Sequence, residues 1–196
     1  MWMKKSLIDH FISHERFSAY KDLDEYRENL TFSKQSYIPL SILEVSLRNA
    51  IDQHLSIKVG AEWYLDNSFL TKDSKEKVDQ AIALLSKRRE PTTKQKIIAE
   101  LSLGFWVNLF KKPYDKKLRI NDLVKIFPNL PPRNILFMNR ELLYKKLDHI
   151  RNFRNRVFHY EKVVNKNHYT AVFDDIDTIL GYFDDEINEF TKKANQ

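Results

Sequence analysis

The sequence predicts an all-α protein, and three observations carry that expectation. Apolar residues recur at three- and four-residue spacing through most of the chain, glycine occurs only 3 times in 196 residues, and β-branched alternating runs are absent. A hydrophobic content of 42%, with 13% aromatic residues, supplies a core for one domain over residues 1–196.

Each element follows from its local pattern. "SLIDHFIS" and "AYKDLDEYRENLTF" read as two short amphipathic helices. "PLSILEVSLRNAIDQHLSIKVG" reads as a stronger one, with Pro39 in its first turn and Gly60 as its C-terminal cap. Leu40, Leu43, Leu47, Ile51 and Leu55 form its apolar stripe. "AEWYLDNSFL" is expected to be a packed loop. A helix then runs from an Asp73/Glu76 N-cap pair to about Arg89, where Pro91 stops it. Thr92 and Gln95 have capping-box spacing ahead of "KIIAELSLGFWVNLF", in which Ile97, Ile98, Leu101, Phe105 and Leu109 face the core. Gly104 inside that helix costs about 1 kcal/mol against alanine, which suggests a close helix crossing or contact. "PYDKKLRINDLVKIFPNLPP" holds one short helix and a proline-rich bend. The longest helix is expected from Asn134 to about Tyr160, and "YTAVFDDIDTILGYFDDEINEF" is the last.

Charge is distributed unevenly. The net +6 resolves into −2 over residues 1–86, +12 over 87–162 and −4 over 163–196. The basic middle points to a polyanionic partner, nucleic acid first. Cysteine is absent, which excludes disulfides and thiolate metal sites. The start, "MWMKKSLIDHFISHERF", lacks a long apolar run and a small-residue cleavage site, and no stretch reaches the roughly 18 apolar residues of a membrane span. A cytoplasmic protein without a membrane segment is therefore expected.

The basic middle ends in "HIRNFRNRVFHYE", His149 to Glu161. A basic helix end complementing the helix dipole is the plain reading. A phosphate-handling site is the chemical one. Cleavage of RNA by its own 2′-OH needs one proton removed and one delivered, and histidine does either near neutral pH. The phosphorane-like transition state gathers negative charge, which an arginine fork stabilises. Arg154, Asn155 and His159 supply these groups, with Asn155 orienting the histidine or holding a phosphate oxygen. At about 100° per residue, Arg154 and His159 lie about 140° apart on an ideal helix. Arg151, Asn155 and His159, spaced by four, align better, so Arg151 is a secondary candidate. Arg154 sits nearer the stripe of Leu143, Leu147, Ile150 and Val157.

"RNRVFH" on a long helix, together with "LEVSLRNAIDQHL", "IIAELSLGFWVNLF" and their order, resembles the Abi-like (abortive infection) proteins of the HEPN ribonuclease superfamily. The likeness covers about residues 30 to 165. It implies a HEPN-type bundle with added N-terminal and central helices that dimerises. It also implies metal-independent RNA cleavage as a toxin or phage-defence effector, needing no cofactor, and restraint by a protein antitoxin or a small RNA. Arg154 and His159 would be the catalytic pair, with Asn155 the polar residue between them. Phe158 stands where relatives usually carry a small residue, and Tyr160 where a second histidine often follows. A non-catalytic RNA-binding or interaction module on the same fold is the alternative.

"RNAIDQH", Arg48 to His54, echoes the motif with one extra residue. Glu44, Arg48 and Asp52 are spaced for an intrahelical charge ladder, and His54 falls beside the apolar stripe as a hydrogen-bonded core histidine. Relatives carry a similar block, which keeps Arg48 and His54 as RNA-contacting candidates. In "KKPYDKK", Lys111, Lys112, Lys116 and Lys117 are candidates for gripping an RNA backbone. His10, His14, His149 and His168 lack metal-ligand spacing with carboxylates, so no metal site is expected.

Overall fold

A computed structural model describes residues 3–196; Met1 and Trp2, the first two residues of the stretch read for a leader, lie outside them. All regular structure among the described residues is helical, so the fold is all-α. None of these helices is long and apolar enough to cross a membrane. After short helical turns at Lys5–Leu7, Ile8–Ser13 and His14–Phe17, eight helices follow. They are α1 (Leu23–Lys58), α2 (Lys72–Lys87), α3 (Lys94–Glu100), α4 (Leu103–Asn108), α5 (Ile120–Ile126), α6 (Arg140–Phe158), α7 (Val172–Phe183) and α8 (Asp185–Ala194).

Helix α1 corrects the sequence reading most. The two helices expected on either side of Pro39 are one helix of 36 residues, and it, not α6, is the longest. Asp22 caps it by accepting from the Glu25 N–H at 2.9 Å. Pro39 lies inside the helix, buried, and gives the Gln35 carbonyl no N–H, a defect that costs about 3 kcal/mol. Tertiary contacts N-terminal to the proline offset it. Phe32 meets Phe153 edge-on at 5.8 Å and Phe173 at 5.1 Å, each pair contributing about 0.5–1.5 kcal/mol beyond its burial. Asn29 accepts from the Val163 and Val164 N–H groups at 2.7 and 3.2 Å, and Glu25 pairs with Lys162 at 2.6 Å.

The stripe of Leu40, Leu43, Leu47, Ile51 and Leu55 is fully buried, and around it α1 packs against α4, α5, α6, α7 and α8. Buried apolar residues from Leu40 to Phe183 form one cluster that includes Trp63, Trp106, Phe110, Phe127 and Phe153. "AEWYLDNSFL" is the packed segment expected: Trp63 and Tyr64 are buried, and the Trp63 indole donates to Asp52 at 2.8 Å.

Several boundaries move for local reasons. Thr71, not Asp73, caps α2, accepting from the Ser74 N–H at 3.3 Å. The single helix expected after Pro91 starts at Lys94 without a side-chain cap and breaks at Leu101–Ser102, whose extended backbone separates α3 from α4. Gly104 therefore opens a short helix instead of interrupting a long one. A Cβ added there would lie 3.6 Å from Arg151 Cδ, an ordinary contact, so no close crossing demands glycine. Helix α6 begins at Arg140, not near Asn134, because Asn139 caps it and Arg140 is anchored on the Phe110 carbonyl and Asp115. Asp184 divides the last expected helix into α7 and α8 by accepting from the Glu186 N–H.

Candidate active site

Helix α6 carries the motif and ends on it. Leu143, Leu147, Ile150, Phe153 and Val157 bury one face; between them Asn152 and Asn155 are exposed, whereas Arg151 and Arg154 are half-buried. His159 is the C-terminal cap residue, its N–H donating to the Asn155 carbonyl at 2.9 Å. The Tyr160 N–H donates to the Val157 carbonyl and the Glu161 N–H to the Arg156 carbonyl, the paired bonds of a Schellman turn. Tyr160 takes the left-handed position of that turn, with φ of 58°, where glycine or asparagine is usual.

Long-range bonds hold this turn. Arg16 donates to the Tyr160 carbonyl at 2.8 Å, Asn29 donates to the Glu161 carbonyl at 3.3 Å, and Asn165 and Lys162 bond Glu25. Hydrogen bonds from Lys162, Asn165 and the Lys21 N–H hold the Glu25 carboxyl down at about 2. The motif's end is thus fixed by the N-terminal half of α1, the half that continues past Pro39.

Beside the turn lies a polar cleft of about 430 Å³. Asn152, Asn155, Arg156 and His159 line one side, with His149, Glu161, His168 and Tyr169 completing it. Arg156 is held by Glu161 at 2.6 Å. Asn155 and His159 are exposed, and the His159 ring makes no hydrogen bond among the described residues. This set can bind a phosphate through amide and guanidinium donors and exchange protons with it through imidazole.

Arg154 is elsewhere. Its guanidinium donates to Glu44 on α1 at 3.4 Å and lies over the Phe158 ring at 4.4 Å, so in a single chain it does not line the cleft. Arg151 is not in the cleft either: it pairs with Asp148 at 2.6 Å beside Gly104. Of the predicted residues, Asn155 and His159 come together, and Arg156 is the guanidinium that joins them. Asn152, Arg156, His149 and His168 were not singled out as site residues. The signal for the first three was present in the three- and four-residue spacing of 149, 152, 155, 156 and 159; His168 reaches the cleft only through tertiary structure.

No family model, curated protein or solved structure matches the chain.

The remaining candidates separate by geometry. His54 bonds Asp122 on α5 at 2.9 Å, each side chain 12% exposed, and Lys58 pairs with the same carboxylate at 2.6 Å. Burial opposes ionisation of Asp122, yet the bonds from Lys58, the Arg119 N–H and His54 prevail and hold its carboxyl below the usual range. The expected ladder within α1 is not formed: Glu44 turns to Arg154, Asp52 to Lys94 and Trp63, and Arg48 to Asn49. Tertiary partners displace the intrahelical ones. In "KKPYDKK", Lys111, Lys112 and Lys116 are exposed, whereas Lys117 donates to the Ser68 and Phe69 carbonyls at 2.8 and 2.7 Å and braces the loop. Among the described residues, no group of three or more His, Asp or Glu could hold a metal ion.

Proposed function

We propose that the chain is a metal-independent endoribonuclease of HEPN type, acting in the cytoplasm as a toxin or abortive-infection effector. The observation that carries this reading is the cleft that the unpaired His159 ring lines together with Asn155 and Arg156. In that role His159 serves as general acid or base while the 2′-OH attacks the adjacent phosphate. Asn155 orients the phosphate, and guanidinium groups stabilise the phosphorane. Lys111, Lys112 and Lys116, within the +12 central region, grip the RNA backbone.

The motif arginine, Arg154, joins this chemistry on dimerisation. An apolar groove of about 840 Å³ runs beside it, lined by Leu30, Tyr37 and Ile38 of α1 and by Val157, Phe158 and Tyr160 at the end of α6. A second copy covering that groove buries Phe158 and Tyr160 and competes with Glu44 for Arg154. A protein antitoxin or small RNA that occupies the same end of α6 would restrain the activity.

The Arg154–Glu44 contact favours one other reading, a non-catalytic HEPN-type RNA-binding or interaction module. Purified protein incubated with total RNA in EDTA, beside a His159→Ala control, separates the two. The ribonuclease gives fragments that the variant does not; intact RNA that is still bound supports the binding module.

A further inference from the structure

Cleavage by a 2′-OH needs a base and an acid at once, and the motif carries a single histidine. The cleft contains two more. His149, ten residues before His159, is committed to holding structure. Its Nδ1 meets Asp175 on α7 at 2.9 Å, and its Nε2 donates to the His168 carbonyl at 2.5 Å. Both ring nitrogens are thus engaged. It also stacks on Tyr169 at 5.6 Å with an interplanar angle of 16°.

His168 differs. It lies on the 3₁₀ turn Asn167–Tyr169, exposed, with its backbone clamped by His149 and its ring 4.0 Å from that of Tyr169. Among the described residues nothing hydrogen-bonds its imidazole, and it lines the same cleft as His159. Two exposed rings without hydrogen-bond partners, lining one cleft of about 430 Å³, suit proton transfer to and from a phosphodiester held between them. The geometry points to His168 as the second imidazole of the reaction, with the His149–Asp175 pair as its positioning support.

The inference rests on the ribonuclease reading. One imidazole of the pair starts neutral and takes the proton of the 2′-OH as O2′ bonds to phosphorus. The other starts protonated and delivers its proton to O5′ as the P–O5′ bond breaks. The products are a 2′,3′-cyclic phosphate and a 5′-OH end, and each histidine ends in the state in which its partner began. Water then opens the cyclic ester with the roles reversed. The charged and titratable groups around His168 are His149 and Arg156 of α6, His159 and Glu161 just after it, Lys166 and Tyr169 of its own turn, and, behind His149, Asp175 of α7 with Lys146 of α6, which pairs with it.

The test is the pH profile of kcat/KM on a short oligoribonucleotide for the parent, His168→Ala, His168→Gln and Asp175→Asn, with thermal melting alongside. The parent is expected to give a bell. Both His168 variants should melt like the parent, lose about 10²- to 10⁴-fold in kcat with KM little changed, and lose one limb of the bell. Added imidazole should restore part of the rate to His168→Ala. Asp175→Asn should lower kcat, leave KM and both limbs in place, and regain no rate from imidazole. A parent that cleaves RNA alongside His168 variants that keep both limbs and the parental rate overturns the inference and leaves the ribonuclease reading standing. Full activity in Asp175→Asn overturns the positioning role. A parent that does not cleave RNA overturns both.

Discussion

His54 and His159 look alike in sequence, each a few residues after an arginine and an asparagine, yet their surroundings assign them different work. His54 is 12% exposed and bonded to Asp122, so its loss leaves a buried carboxylate short of a partner. His54→Ala is expected to lower stability by about 1–3 kcal/mol in denaturant titration, with RNA cleavage per folded molecule little changed. His159→Ala should melt like the parent and lose cleavage, because an exposed ring without a hydrogen bond supports little packing. Tyr160 gives a third test. Its left-handed φ of 58° costs about 1–2 kcal/mol that glycine avoids, and its side chain is 72% exposed, so little packing is lost with it. Tyr160→Gly should raise the melting temperature of the monomeric chain. If the groove is a dimer face, the same change should weaken dimerisation.

Helix α1 shows what the sequence left unreadable. The stripe from Leu40 to Leu55 was legible because burial on one face imposes a helical period. The continuity of the helix past Pro39 was not, because Phe32, Asn29 and Glu25 earn their place by contacts with residues more than a hundred positions away. Arg154 shows the same limit. Its angular separation from His159 could be read from spacing, but its attachment to Glu44 could not. The clamp between α1 and the turn after α6 makes a prediction at this scale. Glu25 titrates at about 2 in the folded chain against an ordinary 4.5, so its contribution is complete above pH 4.5 and is lost as pH falls towards 2. Hydrogen exchange at the Val163 and Val164 amides should therefore show less protection at pH 3 than at pH 6, after correction for intrinsic rates. Asn29→Ala should remove that protection at both values, since Asn29 accepts from both amides.

Across the whole molecule, the all-α class was legible from composition and periodicity alone, as were the uneven charge and the end of the motif helix. The cleft was legible only in part: the α6 residues at 149, 152, 155, 156 and 159 share an edge by spacing, whereas His168 arrives through the packing of α7 on α6. Charge predicts the binding law. RNA affinity should fall steeply with salt, by about 0.7 of a log unit per log unit of salt for each phosphate contact on a single strand, and Lys112→Gln should reduce that slope by about one contact. The exposed groove predicts association, so sedimentation should give twice 23.5 kDa at micromolar concentration. The proposed function stands or falls on a histidine cleft that activates the substrate's own 2′-OH. The direct measurement uses one oligoribonucleotide, cut at a mapped position in EDTA, and its twin with a single 2′-deoxy residue on the 5′ side of that position. The first is expected to be cut to a 2′,3′-cyclic phosphate end, and the second not to be cut at that position. Equal cleavage of both would contradict the proposed function.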